Sequence, residues 1–337
     1  MSLQTTEIEN AVKNCEGLIV ITTHHKPDAD ALGSSLGLYH ALKAEGKNVQ
    51  VITPTDFPKF LDWMPGRDTL INFEEEITKA TELVKSSELI FCLDFNDLSR
   101  INKMSDIVSA SGAQKIMVDH HQEPKDFADF RYHTIETSST CELIYEWLKS
   151  TSLSSHLNRN IASCLYAGIM TDTGGFRHGN TSSKTFKTAA DLLELGANNV
   201  EINQSILDQH SLRRFKLIGY SLYEKLRLIE NNRVAVLSLS AEELKKFDVR
   251  TGDTEGLVNY GLSISGVELS VLIIDRSVRV KMSFRSKKEF PCNLLAKENF
   301  NGGGHYNASG GQSELSLEET VHKFEKVISN YSKWLEY

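Results

Sequence analysis

The stretch Thr22-Thr23-His24-His25-Lys26-Pro27-Asp28-Ala29-Asp30-Ala31-Leu32-Gly33-Ser34 follows directly on the apolar run Gly17-Leu18-Ile19-Val20-Ile21. A short, uncharged run rich in branched residues is typical of a strand that is buried on both faces. In open α/β sheets, the crevice at the carboxyl ends of the strands is where ligands bind. Imidazole and carboxylate donors crowded at such an end favour a divalent cation. An Asx-type turn that caps a helix is the alternative, and it would explain only one of the two aspartates.

Three further apolar segments end in the same kind of residue. Asp94 follows residues 89–93, Asp119-His120-His121 follows residues 115–118, and Asp172 follows residues 165–170 and Thr171. Each of these alone could be a capping aspartate or a core histidine with its hydrogen bonds satisfied. Because the carboxyl ends of parallel strands lie on one edge of a sheet, we expect the four groups to converge.

These motifs resemble those of a known family. His24-x-x-x-Asp28-x-Asp30, Asp94, Asp119-His120-His121 and Asp172 resemble, in order, the four motifs of the DHH phosphoesterase superfamily. Gly302-Gly303-Gly304-His305 resembles the signature of its DHHA1-type C-terminal domain. The motifs span nearly the whole chain, and the nearest resemblance is to the stand-alone branch of NrnA-like nanoRNases and pAp phosphatases.

The resemblance implies two divalent cations, with Mn²⁺ preferred over Mg²⁺ because imidazoles are among the ligands. His24, Asp28 and Asp94 would hold one cation. Asp30, Asp94, His120 and Asp172 would hold the other, so that Asp94 bridges the two. The family spacing selects His24 over the neighbouring His25.

Other roles follow from the same resemblance. Asp119 would orient a histidine from outside the metal shell, and His121 would lie near the reacting phosphate, which makes His121 and Asp94 the catalytic pair. The substrate-binding residues would be Arg285, Gly302, Gly303, Gly304 and His305. The plainer alternatives are a surface arginine at a strand end and a flexible glycine turn before a helix. For Ser139-Thr140, which precede a helical run, helix capping is a sufficient explanation.

Composition narrows the function classes. The chain has 337 residues, 40% of them hydrophobic and 24% charged, which is ordinary for a globular protein with two cores. Its net charge of −8 argues against a protein that coats long nucleic acid, although it permits a small anionic substrate. The five scattered cysteines indicate a reducing compartment. With no secretory signal and no membrane-spanning run in the sequence, we expect a cytoplasmic protein without a membrane partner.

Strands that alternate with helices predict an α/β fold in two domains. The DHH domain, with a parallel sheet, is placed at residues 1–200, and a smaller α/β DHHA1 domain at residues 232–337. A long helix between them, within residues 201–231, is predicted from an apolar stripe that runs from Phe215 to Ile229. The active site is expected in the cleft between the domains.

The resemblance implies hydrolysis of short oligoribonucleotides (nanoRNA) to 5′-mononucleotides. Removal of the 3′-phosphate from 3′-phosphoadenosine 5′-phosphate (pAp) is implied as a second activity. Alternatives are a phosphodiesterase for linear or cyclic dinucleotides, a pyrophosphate or polyphosphate hydrolase, and a nucleotide-binding module without catalysis. The expected partner is a short RNA or a nucleotide, and a second copy of the chain is left open.

Overall fold

Alternating strands and helices build the first half of the chain around a parallel sheet. In this computed structural model, residues 4–208, 211–250 and 252–335 are described, and the chain divides into two units, Met1–Gln209 and His210–Tyr337. The strands of the first unit are β1 (Leu18–Thr23), β2 (Asn48–Thr53), β3 (Ile71–Asn72), β4 (Ser87–Leu93), β5 (Gln114–Asp119) and β6 (Phe130–His133). Its helices are α1 (Thr5–Asn14), α2 (Ala29–Ala44), α3 (Ile77–Ser86), α4 (Met104–Ala110), α5 (Thr140–Ser150), α6 (Arg159–Asp172), α7 (Ser183–Glu194) and α8 (Asn199–Leu207).

The strand order of this sheet creates a binding crevice. The order is β3-β2-β1-β4-β5-β6, and every pair is parallel. The chain therefore runs from β1 to one side for β2 and to the other side for β4, so the order reverses between β1 and β4. Such a switch point opens a crevice at the carboxyl ends of the two strands. The predicted parallel sheet is confirmed, and it places the ends of β1, β4 and β5 side by side.

Burial on both faces of the sheet explains the uninterrupted apolar runs. In β1, Ile19 and Ile21 belong to the apolar cluster that includes α2, α5 and α6, whereas Val20 belongs to the cluster on the opposite face with α3 and α4. All three side chains are fully buried. Since neither face of the sheet meets water here, positions 19–21 do not favour a polar residue on either face.

The second unit has a mixed sheet. Its strands are β7 (Arg227–Ile229), β8 (Val234–Leu239), β9 (Leu269–Asp275), β10 (Val280–Ser286), β11 (Gly303–His305) and β12 (Ala308–Ser313), in the order β11-β12-β10-β9-β8-β7. Its helices are α9 (Leu212–Tyr220), α10 (Ala241–Lys246), α11 (Leu257–Leu262), α12 (Cys292–Asn299) and α13 (Leu317–Ile328). Only β8 and β9 pair in parallel among these strands. A smaller second α/β domain is confirmed.

The predicted long helix is wrong, because residues 201–231 do not form one helix: α8 ends at Leu207, and α9 begins at Leu212 after the extended N-cap Ser211. Helix α9 stops at Tyr220, and one wider helical turn, Ser221–Lys225, continues it. Leu226 then adopts an extended backbone, and β7 pairs antiparallel with β8. Sheet pairing overrides the helical apolar spacing here, since pairing with β8 satisfies the backbone groups of the extended strand, while Leu226 and Ile229 still pack, partly buried, against the apolar clusters of this unit. Strand β7 thus belongs to the second sheet, while the predicted domain limits at residues 200 and 231 stay a prediction.

The helices of the described residues include none that is both long and apolar enough to cross a membrane.

Close packing of α6 against α2 and α5 depends on glycine. A Cβ atom at Gly168 would lie 2.3 Å from the Cys141 sulfur and 2.9 Å from the Cα of Asp30. At Gly33, a Cβ would lie 2.4 Å from the carbonyl oxygen of Cys164. Because these are contacts with backbone or with buried side chains, the helices could not accommodate a methyl group without moving apart.

We predict that Gly168→Ala lowers the free energy of unfolding by about 1–3 kcal/mol, since overpacking a buried contact forces the backbone to shift. The measurement is urea denaturation followed by circular dichroism. Gly112→Ala is the matched control, because a Cβ at Gly112 meets no heavy atom within 4 Å. Equal unfolding midpoints for the two variants would contradict the close-packing argument.

Candidate metal centre

His24 follows β1 and presents one ring nitrogen to two carboxylates. Its Nε2 lies 3.4 Å from Asp94 Oδ2 and 3.9 Å from Asp28 Oδ2. Its Nδ1 lies 2.9 Å from the carbonyl oxygen of His25. Because a carbonyl oxygen can only accept, Nδ1 carries a proton, so Nε2 is the nitrogen that faces the carboxylates and could bind a cation after losing its own proton. His25 is turned elsewhere, with its Nδ1 3.0 Å from the carbonyl oxygen of Arg100.

Asp28 is compatible with both interpretations of its motif, helix capping and cation binding. It is the N-cap of α2, and its Oδ1 accepts the backbone N–H groups of Asp30 and Ala31, each at 3.0 Å. Its Oδ2 is the oxygen that faces His24. Capping therefore accounts for one oxygen and leaves the other for a cation.

Asp94 lies at the centre of the arrangement. It directly follows β4, and its φ of 63° lies in the left-handed region, which disfavours residues other than glycine. Its Oδ2 faces His24, and its Oδ1 lies 3.4 Å from His120 Nε2. The two oxygens thus point at two different imidazoles, the arrangement that a bridging carboxylate needs.

His120 is surrounded by carboxylates. It follows β5, and its Nε2 lies 3.7 Å from Asp30 Oδ2 and 3.7 Å from Asp172 Oδ2, in addition to Asp94. Asp30 comes from the first turn of α2, and Asp172 is the last residue of α6. The side chains of Asp30, Asp94 and His120 are at least 95% buried, whereas that of Asp172 is 29% exposed. Three carboxylates in so little water repel one another, and cations relieve this repulsion.

The pKa shifts of the metal-free protein reflect that crowding. Burial and the charges of Asp94 and Asp172 raise the pKa of Asp30 well above its usual range. Burial opposes the charged form of Asp94, but hydrogen bonds from His120 and His24 outweigh it and hold the pKa of Asp94 well below its usual range. Burial likewise opposes the imidazolium of His120, yet Asp94, Asp172 and Asp30 together raise the pKa of His120 to about 10. Protonation of His120 and Asp30 therefore partly balances the negative charge of the carboxylates.

Asp119 and His121 form a separate hydrogen-bonded pair. Asp119 is fully buried at the end of β5, and its Oδ1 lies 2.7 Å from His121 Nδ1. Its Oδ2 accepts the backbone N–H of His121 at 3.1 Å. Burial lowers the pKa of His121 despite the neighbouring Asp119 carboxylate. A neutral His121 with its proton on Nδ1 has an unprotonated Nε2, which suits a proton acceptor.

The structure brings the six predicted metal ligands together. The donor atoms of His24, Asp28 and Asp94 lie within 4.8 Å of one another, and so do those of Asp30, His120 and Asp172. These are the two ligand groups implied by the sequence, and Asp94 touches both. Mixed nitrogen and oxygen donors of this kind fit divalent cations such as Mn²⁺ or Zn²⁺.

Sequence analysis missed the contribution of helix α5. The Thr140 hydroxyl donates to Asp94 Oδ1 at 3.0 Å, and the backbone N–H of Thr140 donates to Asp30 Oδ2 at 2.8 Å. The N–H of Cys141 donates to the other oxygen of Asp30 at 2.9 Å. The expected capping is also present, because Ser139 Oγ accepts the N–H of Glu142. Ser139-Thr140 stood out in the sequence, but helix capping was a sufficient explanation for the pair, so it did not indicate contacts with the aspartates.

In the second unit, Arg285 and His305 share one face of the sheet. Arg285 on β10 and His305 on β11 both pair with Ala308 on β12, so their side chains project in the same direction. Residues 303–305 form an edge strand, so the alternative of a flexible turn before a helix is wrong.

The three glycines before His305 differ in what packing requires of them. A Cβ at Gly302 would lie 2.0 Å from the carbonyl oxygen of Gly310, and one at Gly304 would lie 2.7 Å from that of Ala308. At Gly303, by contrast, a Cβ meets nothing within 4 Å. Packing therefore requires glycine at positions 302 and 304, whereas Gly303 has no packing reason to lack a side chain.

Comparisons with known proteins agree with this geometry. Residues 18–169 match the family model for the N-terminal domain of the DHH family, and residues 231–334 match that for the DHHA1 domain. A bifunctional oligoribonuclease and PAP phosphatase NrnA from Thermus thermophilus is 30% identical over 322 residues, which cover 95% of this chain and 91% of that protein. Cyclic-di-AMP phosphodiesterase GdpP from Bacillus subtilis is 27% identical over 337 residues, which cover 93% of this chain and 48% of that protein.

A solved structure is similar over almost the whole length. The crystal structure of an exopolyphosphatase-related protein from Bacteroides fragilis is 40% identical, has a TM-score of 0.93, and covers 99% of this chain and 97% of that one. The resemblance found in the motifs is thus matched by both family models and by relatives that align over nearly the full chain. The chain belongs to the DHH family of phosphoesterases, which are hydrolytic enzymes, and it carries a DHHA1 domain.

Proposed function

We propose that this protein is a Mn²⁺-dependent phosphoesterase that hydrolyses short oligoribonucleotides to 5′-mononucleotides and removes the 3′-phosphate from pAp. The observation that carries the proposal is the pair of three-residue ligand groups that meet at Asp94. The Thermus thermophilus relative, named as an oligoribonuclease and PAP phosphatase, supports this choice of substrates.

The proposed roles follow from what each residue contacts. His24, Asp28 and Asp94 would hold one cation, and Asp30, Asp94, His120 and Asp172 would hold the other. When bound, the two cations stabilise the charge that develops on the phosphoryl oxygens during displacement. His121 exchanges a proton near the reacting phosphate, because Asp119 fixes its ring and leaves Nε2 unprotonated. The glycine motif, His305 and Arg285 bind the substrate phosphate.

Other substrates have specific support. The Bacillus subtilis relative is named as a cyclic-di-AMP phosphodiesterase, and the Bacteroides fragilis protein is called exopolyphosphatase-related. A cyclic or linear dinucleotide phosphodiesterase is therefore the second candidate. A nucleotide-binding module without catalysis is disfavoured, because all six ligand positions hold metal-binding residue types.

The proposal is tested by hydrolysis in Mn²⁺ of a ribodinucleotide, a ribopentamer, pAp, cyclic di-AMP, pyrophosphate and polyphosphate. We expect turnover of the short ribonucleotides and of pAp, because the site has ligands for phosphate-bound cations and the chain's charge of −8 disfavours longer polyanions. Exclusive cleavage of cyclic di-AMP or of polyphosphate would reject the proposed substrates but keep the metal centre. Asp94→Asn is the inactive control, with turnover reduced more than about 100-fold while the fold is kept.

Metal binding is predicted to strengthen as the pH rises. With the pKa of His120 raised to about 10, the ring is protonated at pH 7, and it must lose that proton to bind a cation. Protons compete less at higher pH, so the Mn²⁺ affinity should increase about tenfold from pH 7 to pH 8 for each proton released. Calorimetry in two buffers of different ionisation enthalpy counts these protons. Affinity that is independent of pH, with no proton release, would contradict the predicted protonation of His120.

The substrate role of the glycine motif can be separated from its packing role. We predict that Gly303→Val raises KM about tenfold or more (~1.4 kcal/mol of binding) and leaves the unfolding midpoint unchanged. The valine would cover backbone that glycine leaves open to an anion, yet it meets no packed atom. Gly302→Ala should instead destabilise the protein, because its Cβ would meet the Gly310 oxygen. An unchanged KM in Gly303→Val would remove this residue from the proposed substrate site.

A further inference from the structure

The start of helix α5 contacts two of the buried carboxylates at once. Thr140 and Cys141 are the first two residues of the helix, and their N–H groups have no partner within it. Each N–H donates to a different oxygen of Asp30, at 2.8 and 2.9 Å. The Thr140 side chain reaches the second carboxylate and donates to Asp94 Oδ1 at 3.0 Å. One helical turn thus joins the aspartate that follows β4 to the aspartate in the first turn of α2.

Hydrogen bonds of Ser139 and Glu142 stabilise the start of α5. Ser139 caps the helix through the N–H of Glu142 at 3.1 Å. The fully buried Glu142 carboxylate accepts the N–H of Ser138 at 2.7 Å and the hydroxyls of Thr137 and Thr185 at 2.9 and 3.3 Å. The segment in front of α5 is therefore fixed by side chains that do not touch the predicted ligands, which gives Thr140 a rigid support.

The contact with Thr140 constrains how Asp94 can bind. A carboxylate oxygen has two lone pairs, and the Thr140 hydroxyl takes one of those on Oδ1. Oδ1 keeps one lone pair and lies 3.4 Å from His120 Nε2. Oδ2 faces His24. Without the hydroxyl, the Asp94 carboxylate could rotate about its last bond, and its oxygens would no longer be assigned one to each ligand group.

We propose that Thr140 is a positioning residue of the metal centre: its hydroxyl fixes the orientation of Asp94, so that the carboxylate serves both ligand groups, while its N–H and that of Cys141 fix Asp30. The inference rests on the proposed metal centre. It predicts that loss of the hydroxyl weakens metal binding beyond any loss of stability, because partners behind the ligands typically change metal affinity 10–100-fold.

The test compares Mn²⁺ binding by calorimetry, without substrate, in Thr140→Val, Thr140→Ser and Thr185→Val. Valine keeps the shape of threonine and removes the hydroxyl, so we expect Mn²⁺ affinity about 10–100-fold weaker than that of the wild type. Serine keeps the hydroxyl and should stay within about threefold. Thr185→Val removes an equally buried hydroxyl that donates to Glu142 and not to a predicted ligand, so it should weaken Mn²⁺ binding clearly less than Thr140→Val does.

Several outcomes would overturn the proposal. One is wild-type Mn²⁺ affinity in Thr140→Val, and another is equal weakening in Thr140→Val and Thr185→Val at matched thermal stability, which would indicate a purely structural role. If Thr140→Ser weakened Mn²⁺ binding as strongly as Thr140→Val, the role assigned to the hydroxyl would also be rejected. If the valine variant does not fold, Thr140→Ala takes its place with the same expectation. Because the readout is metal binding, the proposal can hold even if the proposed substrates are not cleaved.

Discussion

The repulsion among Asp30, Asp94 and Asp172 around a single imidazole is the constraint on which the catalytic half of this protein depends. Burial makes the charged carboxylates unfavourable, and their proximity adds to that cost. In the metal-free protein the resulting field raises the pKa of His120 to about 10, so that bound protons supply positive charge. Divalent cations would supply the same charge more effectively, which is why this arrangement favours metal binding over a structural role.

A fold must resist that repulsion in order to keep the carboxylates together. The parallel sheet does part of this work, since its topological switch point brings the ends of β1 and β4 together, next to that of β5. Helix packing does the rest. Gly33 and Gly168 let α2 and α6 approach closely, and these helices carry Asp30 and Asp172. The first turn of α5 then donates hydrogen bonds to the carboxylates that burial would otherwise leave unsatisfied.

In the second unit, strand pairing places the candidate substrate-binding residues. Arg285 and His305 come from different strands, and their shared partner Ala308 places them on one face of the sheet. Two of the glycines in the motif serve strand packing, and Gly303 alone is unexplained by packing. A motif that looks like a single functional signature therefore combines structural requirements with a candidate binding surface.

The sequence by itself determined the α/β class and was enough to predict a set of candidate metal ligands. Ligand residue types follow the apolar segments that form β1, β4 and β5, and parallel pairing sends the ends of these strands to one edge, so that their convergence could be predicted without coordinates. Asp172 instead ends helix α6, and helix packing brings it to the same place. The choice of His24 over His25 followed from the resemblance to the spacing of the family motif. The edge strand of the glycine motif and the strand at residues 227–229 escaped prediction, because each is only three residues long and is defined by its pairing with the following strand, so it shows no periodicity of its own.

Only the tertiary structure decided which polar groups hold the ligands in place. Thr140 is 46 residues from Asp94 and 110 from Asp30, and its local pattern is satisfied by helix capping. Likewise, the glycines that allow α2 and α6 to touch carry no spacing signal that relates one helix to the other. The physical reason is that such contacts depend on the relative placement of distant segments. Residue type and spacing describe what a segment can do, whereas its partners are set by how the chain packs.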